Sequence, residues 1–286
     1  MKSTKLFLFT LVVALVALAA TSISFAQDSS CETAIVTESD VTRQAENTPP
    51  TDNWVLYTRA ATPGVGAFVA GPEQPPLGVG SLNLKTLGGS DKVFLFNFDH
   101  VGTKLADINK MGYSTYRTAG NLQQVTSINM VVDENGAAPG GFTTLVFEPV
   151  YNTDQGAVVS GEWQTWDAYK GGNAIWWSSR AIPGVCAFSC YVTWNYIVAN
   201  NPDAVILGGY GVNQGSGNPT LDANVDALSI GTGGIDGSCI TYNFDPFRVA
   251  TNKDQCKNGG YNGVKRADGS SFKNQGDCVS YVSNGK

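Results

Sequence analysis

Apolar and polar positions alternate with period two along most of the chain, in short runs separated by turn-forming residues. Trp54–Thr58 opens the series. Gly80–Thr86 then places Leu82, Leu84 and Thr86 on one face, and Val125–Asp133 alternates Ile128, Met130 and Val132. Tyr113–Arg117, Phe142–Val150, Ala204–Tyr210 and Val225–Gly231 read as further strands. Lys92–Phe98 is denser, with Val93 and Leu95 on one side and Phe94, Phe96 and Phe98 on the other, so both of its faces are expected to be covered. Gly64–Gly80 and Gly208–Gly217 read as glycine-rich loops, the second a wide, mobile rim without the lysine of a phosphate loop. Val192–Asn200 is the convincing helix. Trp194, Ile197 and Val198 share a face, and Asn200-Asn201-Pro202 ends it. About ten short strands and one short helix predict an all-β fold, a β-sandwich.

Gly161–Ser179 concentrates four of the six tryptophans, Trp163, Trp166, Trp176 and Trp177, together with Tyr169. Two β-type runs flank Gly171-Gly172-Asn173, and the spacing predicts a hairpin. Neighbouring strand side chains point to opposite faces, so each tryptophan pair is expected to send one ring inward and one outward. Trp166 and Trp177 are the expected outward rings, because Val159 shares the parity of Trp163 and Trp176 follows Ala174 in alternation. An outward indole is either roofed by other chain or a platform for a ligand.

Residues 1–26 carry Lys2 and Lys5, an apolar run over Leu6–Ala20, and small residues at Ser24 and Ala26, the pattern of a cleaved secretion signal. Loss of those two lysines with the leader takes the net charge from −6 to −8. An acidic chain without a Lys/Arg cluster is a poor partner for nucleic acid, and no later run is long and apolar enough for membrane insertion. Residues 27–52, polar and ending in Thr48-Pro49-Pro50, read as a flexible lead-in, 53–250 as the β-sandwich, and 251–286 as a small tail module. The tail is locally basic through Lys253, Lys257, Lys265, Arg266, Lys273 and Lys286.

Six cysteines in an exported chain argue for three disulfides, though the count alone permits many pairings. Proximity favours Cys186–Cys190 as a loop staple. Cys256–Cys278 would close the tail, which leaves Cys31–Cys239. Zinc is disfavoured, because the 186/190 pair has no second Cys or His pair to complete a tetrahedral set.

Catalytic patterns are sparse. His100 is the one histidine and no G-x-S-x-G elbow exists, which removes the usual serine triad; His100 reads as a loop residue bonded to backbone. With all thiols committed, no cysteine nucleophile remains. Glu148, Glu162 and Asp167 lie near aromatic rings, as a two-carboxylate glycosidase requires, but no closely spaced acidic motif accompanies them. Asp133-Glu134-Asn135-Gly136 begins like a calcium loop, yet its twelfth position is Thr144, so it reads as a turn.

The tail, with DQCKNGGY and FKNQGDCVSYV within Asp254–Val282, resembles a short module that ends many exported bacterial proteins of no settled activity, so it lends no catalytic residues. The entry run at Gly78–Leu84 and V-D-A-L-S-I at Val225–Ile230 resemble the early and final strands of jelly-roll carbohydrate-binding modules. That second resemblance implies a glycan-binding sandwich of jelly-roll or concanavalin-like type, followed here by the small disulfide-closed tail. It also sets Asp226 where some such modules bind structural calcium, against the plainer reading of a carboxylate bonding backbone amides; no other cofactor is implied. Sugar recognition needs flat rings beneath the C–H face of a pyranose, with amides and carboxylates around its hydroxyls. Trp163, Trp166, Tyr169 and Trp177 beside Gln164, Asp167 and Asn173 are the expected ligand-binding set. The expected function is secreted, non-catalytic binding of an extracellular or cell-wall glycan. A β-sandwich glycoside hydrolase or lyase and a purely structural surface protein are the alternatives.

Overall fold

A computed structural model describes residues 31–136, 140–233 and 237–285. Residues 1–30, which include the expected leader 1–26, and Lys286 at the end of the tail lie outside the described residues. In chain order the strands are β1 (Glu32–Val36), β2 (Thr42–Ala45), β3 (Trp54–Thr58), β4 (Val65–Ala70), β5 (Gly80–Lys85), β6 (Val93–Asn97), β7 (Ile108–Ala119) and β8 (Ser127–Asp133). They continue as β9 (Phe142–Phe147), β10 (Trp163–Asp167), β11 (Ile175–Ser178), β12 (Val192–Thr193), β13 (Val205–Gln214), β14 (Asp222–Thr232) and β15 (Cys239–Phe244). Helix α1 (Trp194–Asn200) follows β12 directly, and α2 (Gln275–Ser283) closes the chain.

The strands form two sheets packed as a sandwich, the architecture expected of the alternating pattern. Sheet I runs β1-β15-β14-β5-β4, with β7 on the opposite edge of β14 and β10 outside β7. Sheet II runs β12-β11-β9-β8-β13-β6-β3-β2. Between them lie the inward halves of the alternation: Leu82 and Leu84 from sheet I, and Leu56, Leu95, Ile128, Met130, Phe147 and Val212 from sheet II. Large rings complete the core, and the polar tips of Trp166, Trp176 and Tyr113 are bonded, as burial requires. Trp166 Nε1 donates to Thr115 Oγ1 at 2.8 Å, Trp176 Nε1 to the Ala168 carbonyl at 2.8 Å, and Tyr113 Oη to the Thr126 carbonyl at 2.7 Å.

Four expectations are corrected. The tryptophan segment is not a hairpin: β10 pairs with β7 in sheet I and β11 with β9 and β12 in sheet II, so the Gly171–Asn173 turn carries the chain from one sheet to the other. The lead-in is ordered from residue 32, giving each sheet an edge strand, with β1 parallel to β15 and β2 parallel to β3. Within the first glycine-rich stretch, β4 pairs with β5, and only 71–79 remains loop. Strand β13 runs through the second stretch. There the space a side chain at Gly209 would need is filled by the Phe96 ring.

The disulfides are Cys31–Cys239, Cys186–Cys190 and Cys256–Cys278, which fits an oxidising compartment. Among the described residues no helix is long and apolar enough to cross a membrane. The tail has its own small core of Cys256, Val264, Phe272 and Cys278 with Ala250, separate from the sandwich interior. It joins the sandwich at Arg248, whose carbonyl accepts from Lys265 N at 2.8 Å and whose side chain bonds Asp40 at 3.0 Å and the Ile35 carbonyl at 3.2 Å. A unit with so little apolar area depends on its cross-link. Closing a loop between residues 22 apart is worth roughly 3 kcal/mol by chain entropy. A Cys256→Ser/Cys278→Ser variant is therefore expected to lose hydrogen-exchange protection across 254–283 while the sandwich keeps its thermal transition. A single transition displaced as a whole would contradict this.

Candidate functional site

The two outer faces differ in what covers them. Across sheet I lies the loop 71–79: Trp163 Nε1 donates to the Pro72 carbonyl at 3.0 Å, Leu77 N to Asp226 Oδ2 at 2.8 Å, and Val79 N to Asp245 Oδ1 at 2.8 Å. Sheet II is covered at one side only, where Tyr57, Phe94 and Phe96 bury one another with Val55 and with partial cover from Phe98 and Val131. Beside that aromatic patch runs a groove of roughly 390 Å³, inside the range of about 300–1,000 Å³ usual for ligand sites.

Register explains how the groove is built. Trp177 lies opposite Val146, Val146 opposite Asn129, Asn129 opposite Gly211, and Gly211 opposite Phe96. These residues form one outward row across five strands, a width of roughly 19 Å at the usual strand spacing of about 4.8 Å. The next row brings Ser127 opposite Asn213 and Asn213 opposite Phe94. Ser127 Oγ lies 2.9 Å from Asn129 Oδ1 on the same strand and 3.1 Å from the Asn213 carbonyl oxygen on β13, the second contact joining two strands under the groove. Thr144 and Ser179 extend the polar floor, with Thr144 N donating to Ser179 Oγ at 3.0 Å. Lys92 bounds the groove on the β6 side, paired with Glu46 at 3.3 Å and set over the Phe94 ring. Phe188 bounds it on the β11 side, its ring centroid 5.9 Å from that of Trp177.

Glu148 sits where β9 ends and is the one carboxylate among the described residues lining the groove. Its Oε2 accepts from Trp177 Nε1 at 2.9 Å, so the indole is held at its polar edge while its faces stay free of that bond. Burial raises the Glu148 pKa from its ordinary value, against the lowering effect of the Trp177 N–H. One carboxylate cannot divide the acid and nucleophile roles of glycoside hydrolysis. Glu162 and Asp167 flank and end β10, in the other sheet, so the three acids singled out in the sequence do not meet in this groove.

Of the expected ligand-binding set, the groove contains Trp177 alone. Trp166 is 1% exposed, a core residue rather than the outward ring expected. Trp163 is the partner on the outer side, half-buried against Tyr116 and tied to loop 71–79. Val159 misled the assignment because it lies outside the regular strand, where parity carries no information. Tyr169 packs against the core cluster. Gln164 bonds Val159 N and the Ala157 carbonyl, and Asp167 Oδ1 accepts from Tyr169 N and Lys170 N, so both tie their own loop. Asn173 is exposed at the turn between the sheets. Ser127, Asn129 and Asn213 were missed, although Ser127 and Asn129 are the polar alternates of Ile128 and Met130.

Asp226, weighed as a calcium ligand, is 0% exposed. Its oxygens accept from Leu77 N and Phe244 N, and burial pushes its carboxyl up to about 6. The carboxylate serves as a junction between β14, β15 and loop 71–79. Among the described residues no group of three or more His, Cys, Asp or Glu is placed to hold a metal ion. His100 bonds the Tyr242 hydroxyl, with Nε2 and Oη 2.9 Å apart, rather than a backbone group. Asp133 Oδ1 accepts from Asn135 N and Gly136 N, the turn expected there. No protein-family model, curated protein or solved structure matches this chain.

The Glu148–Trp177 bond makes the groove sensitive to pH. Because the folded state raises the Glu148 pKa, it holds that proton more tightly than the unfolded chain does. The group's contribution to stability is therefore fully present below the ordinary glutamate range and is lost as pH rises through the raised value. Trp177 emission is expected to titrate with a midpoint above the ordinary 4.5. The difference between wild type and Glu148→Gln isolates this titration. Identical pH profiles for the two proteins would contradict it.

Proposed function

We propose that the protein is an exported, non-catalytic binding protein that takes an extracellular glycan across the outer face of sheet II. The observation that carries this reading is Trp177, an outward, half-buried indole fixed at its edge by Glu148 in a groove floored by hydroxyls and amides. A flat ring serves the C–H face of a pyranose, and Ser127, Asn129, Thr144 and Asn213 supply the donors and acceptors that ring hydroxyls need. The leader-like pattern of residues 1–26 and the three disulfides support export. The lone carboxylate favours binding over hydrolysis. The paired state of Lys92 favours a neutral chain over an anionic one.

The test is a glycan array with the chain from residue 27 onward, followed by calorimetry on the strongest binder. Trp177→Ala is expected to weaken binding about tenfold or more, equivalent to about 1.4 kcal/mol, with the unfolding transition nearly unchanged. Trp163→Ala, on the roofed face of sheet I, is expected to bind as wild type does. Full affinity in Trp177→Ala would remove the groove as the site.

A further inference from the structure

Phe188 combines two unfavourable features. Its ring is 64% exposed, although a phenylalanine gains stability by burial. Its backbone lies at φ +59, in the left-handed region that a bulky residue adopts rarely and at a cost. Neither feature returns anything to the sandwich core, in which Phe188 takes no part.

The surrounding chain is built to impose this conformation. Cys186 and Cys190 close a loop of four-residue separation around it. Phe188 N donates to the Ser178 carbonyl at 2.8 Å, and Ala187 bridges Ser178 in parallel, so the loop is docked on the edge of β11 beside β12. Ser178 is buried and faces inward, so its partner Ala187 shares that sense and Phe188 is turned to the outer face with Trp177. The two rings stand 5.9 Å apart, in contact and inclined by 40°, and both line the groove.

From this geometry we infer that Phe188 is a second ring for the glycan, and that the Cys186–Cys190 loop is a preformed clip that positions it. The inference rests on the groove reading above and deepens it. The ligand is one whose sugar ring lies across the groove-facing sides of Trp177 and Phe188 together while its hydroxyls reach the Ser179 and Thr144 hydroxyls. Cross-linking matters because an open loop would relax the left-handed residue and let the phenyl ring leave its place. The strain is thus held in the free protein, and the ligand meets a ring already ordered.

The experiment uses neutral hexasaccharides of the β-1,4-glucan, chitin, xylan and mannan series, titrated calorimetrically into the chain from residue 27 onward. For whichever series wild type binds, Phe188→Ala is expected to weaken binding about tenfold, and Phe188→Trp to retain it. Cys186→Ser/Cys190→Ser is expected to reproduce the Phe188→Ala loss with the main unfolding transition in place, and to add nothing in the Phe188→Ala background. Wild-type affinity in Phe188→Ala, with Trp177→Ala still defective, would overturn this inference and leave the groove reading standing. Additive losses from the two changes would show that the loop acts otherwise than through Phe188, and would overturn the clip. Absence of binding by wild type to all four series and to the array would sink the groove reading, and this inference with it.

Discussion

The organisation of the molecule turns on the alternation at Trp176–Trp177. A strand cannot place two consecutive side chains on one face, so β11 sends Trp176 into the core and Trp177 to the outer surface. Trp176 is fully enclosed, with Trp194 at 5.3 Å, Phe147 at 5.6 Å and its N–H bonded to the Ala168 carbonyl. That enclosure fixes the rotation of β11 about its axis. The position of Trp177 follows, and with it the bond to Glu148 and the seat of the Cys186–Cys190 loop. The Trp177 side of the groove is thereby set by the core and not by a flexible loop, which is the arrangement the proposed binding role requires.

A second constraint separates the two outer faces. Loop 71–79 gives its amides to Asp226 and Asp245 and its Pro72 carbonyl to Trp163, so the outer face of sheet I has neighbours within the chain. On sheet II, Phe94 and Phe96 cover the region near β3, supported by the bare backbone of Gly209 beneath Phe96. Between that patch and Trp177 the outward positions are Ser127, Asn129, Thr144, Val146, Gly211 and Asn213, too short to fill the space. The groove is the consequence of small, mostly polar residues placed between two aromatic borders.

Much of this was legible in the sequence because it depends on local period. The sandwich, the two-faced run of Lys92–Phe98, the helix near Trp194, the three disulfides and the division of each tryptophan pair all follow from alternation or spacing. What was not legible depends on partners far along the chain. Gly171-Gly172-Asn173 announces a turn, but not that β10 and β11 pair with β7 and β9 instead of each other. Parity splits Trp163 from Trp166 without saying which faces in, and that is decided by Thr115 on β7, which receives the Trp166 N–H. Strands β1 and β2 are short edges: β1 pairs in parallel with β15 far along the chain, and β2, TRQA, carries no apolar period to mark it beside β3. The polar floor was missed for a related reason. Serines and asparagines opposite a core face look like ordinary solvent contacts until register sets them in one row.

The central claim is that Trp177, alone among the six tryptophans, meets the ligand. Proton–nitrogen correlation spectra of the indole N–H groups test it most directly, because each tryptophan gives one separate signal and no residue is altered. On titration with the strongest array binder, the Trp177 N–H is expected to shift or broaden, while those of the buried Trp166, Trp176 and Trp194 and of Trp163 beneath loop 71–79 stay in place. A saturable shift of Trp163 with Trp177 unmoved would place the ligand on sheet I and contradict the account.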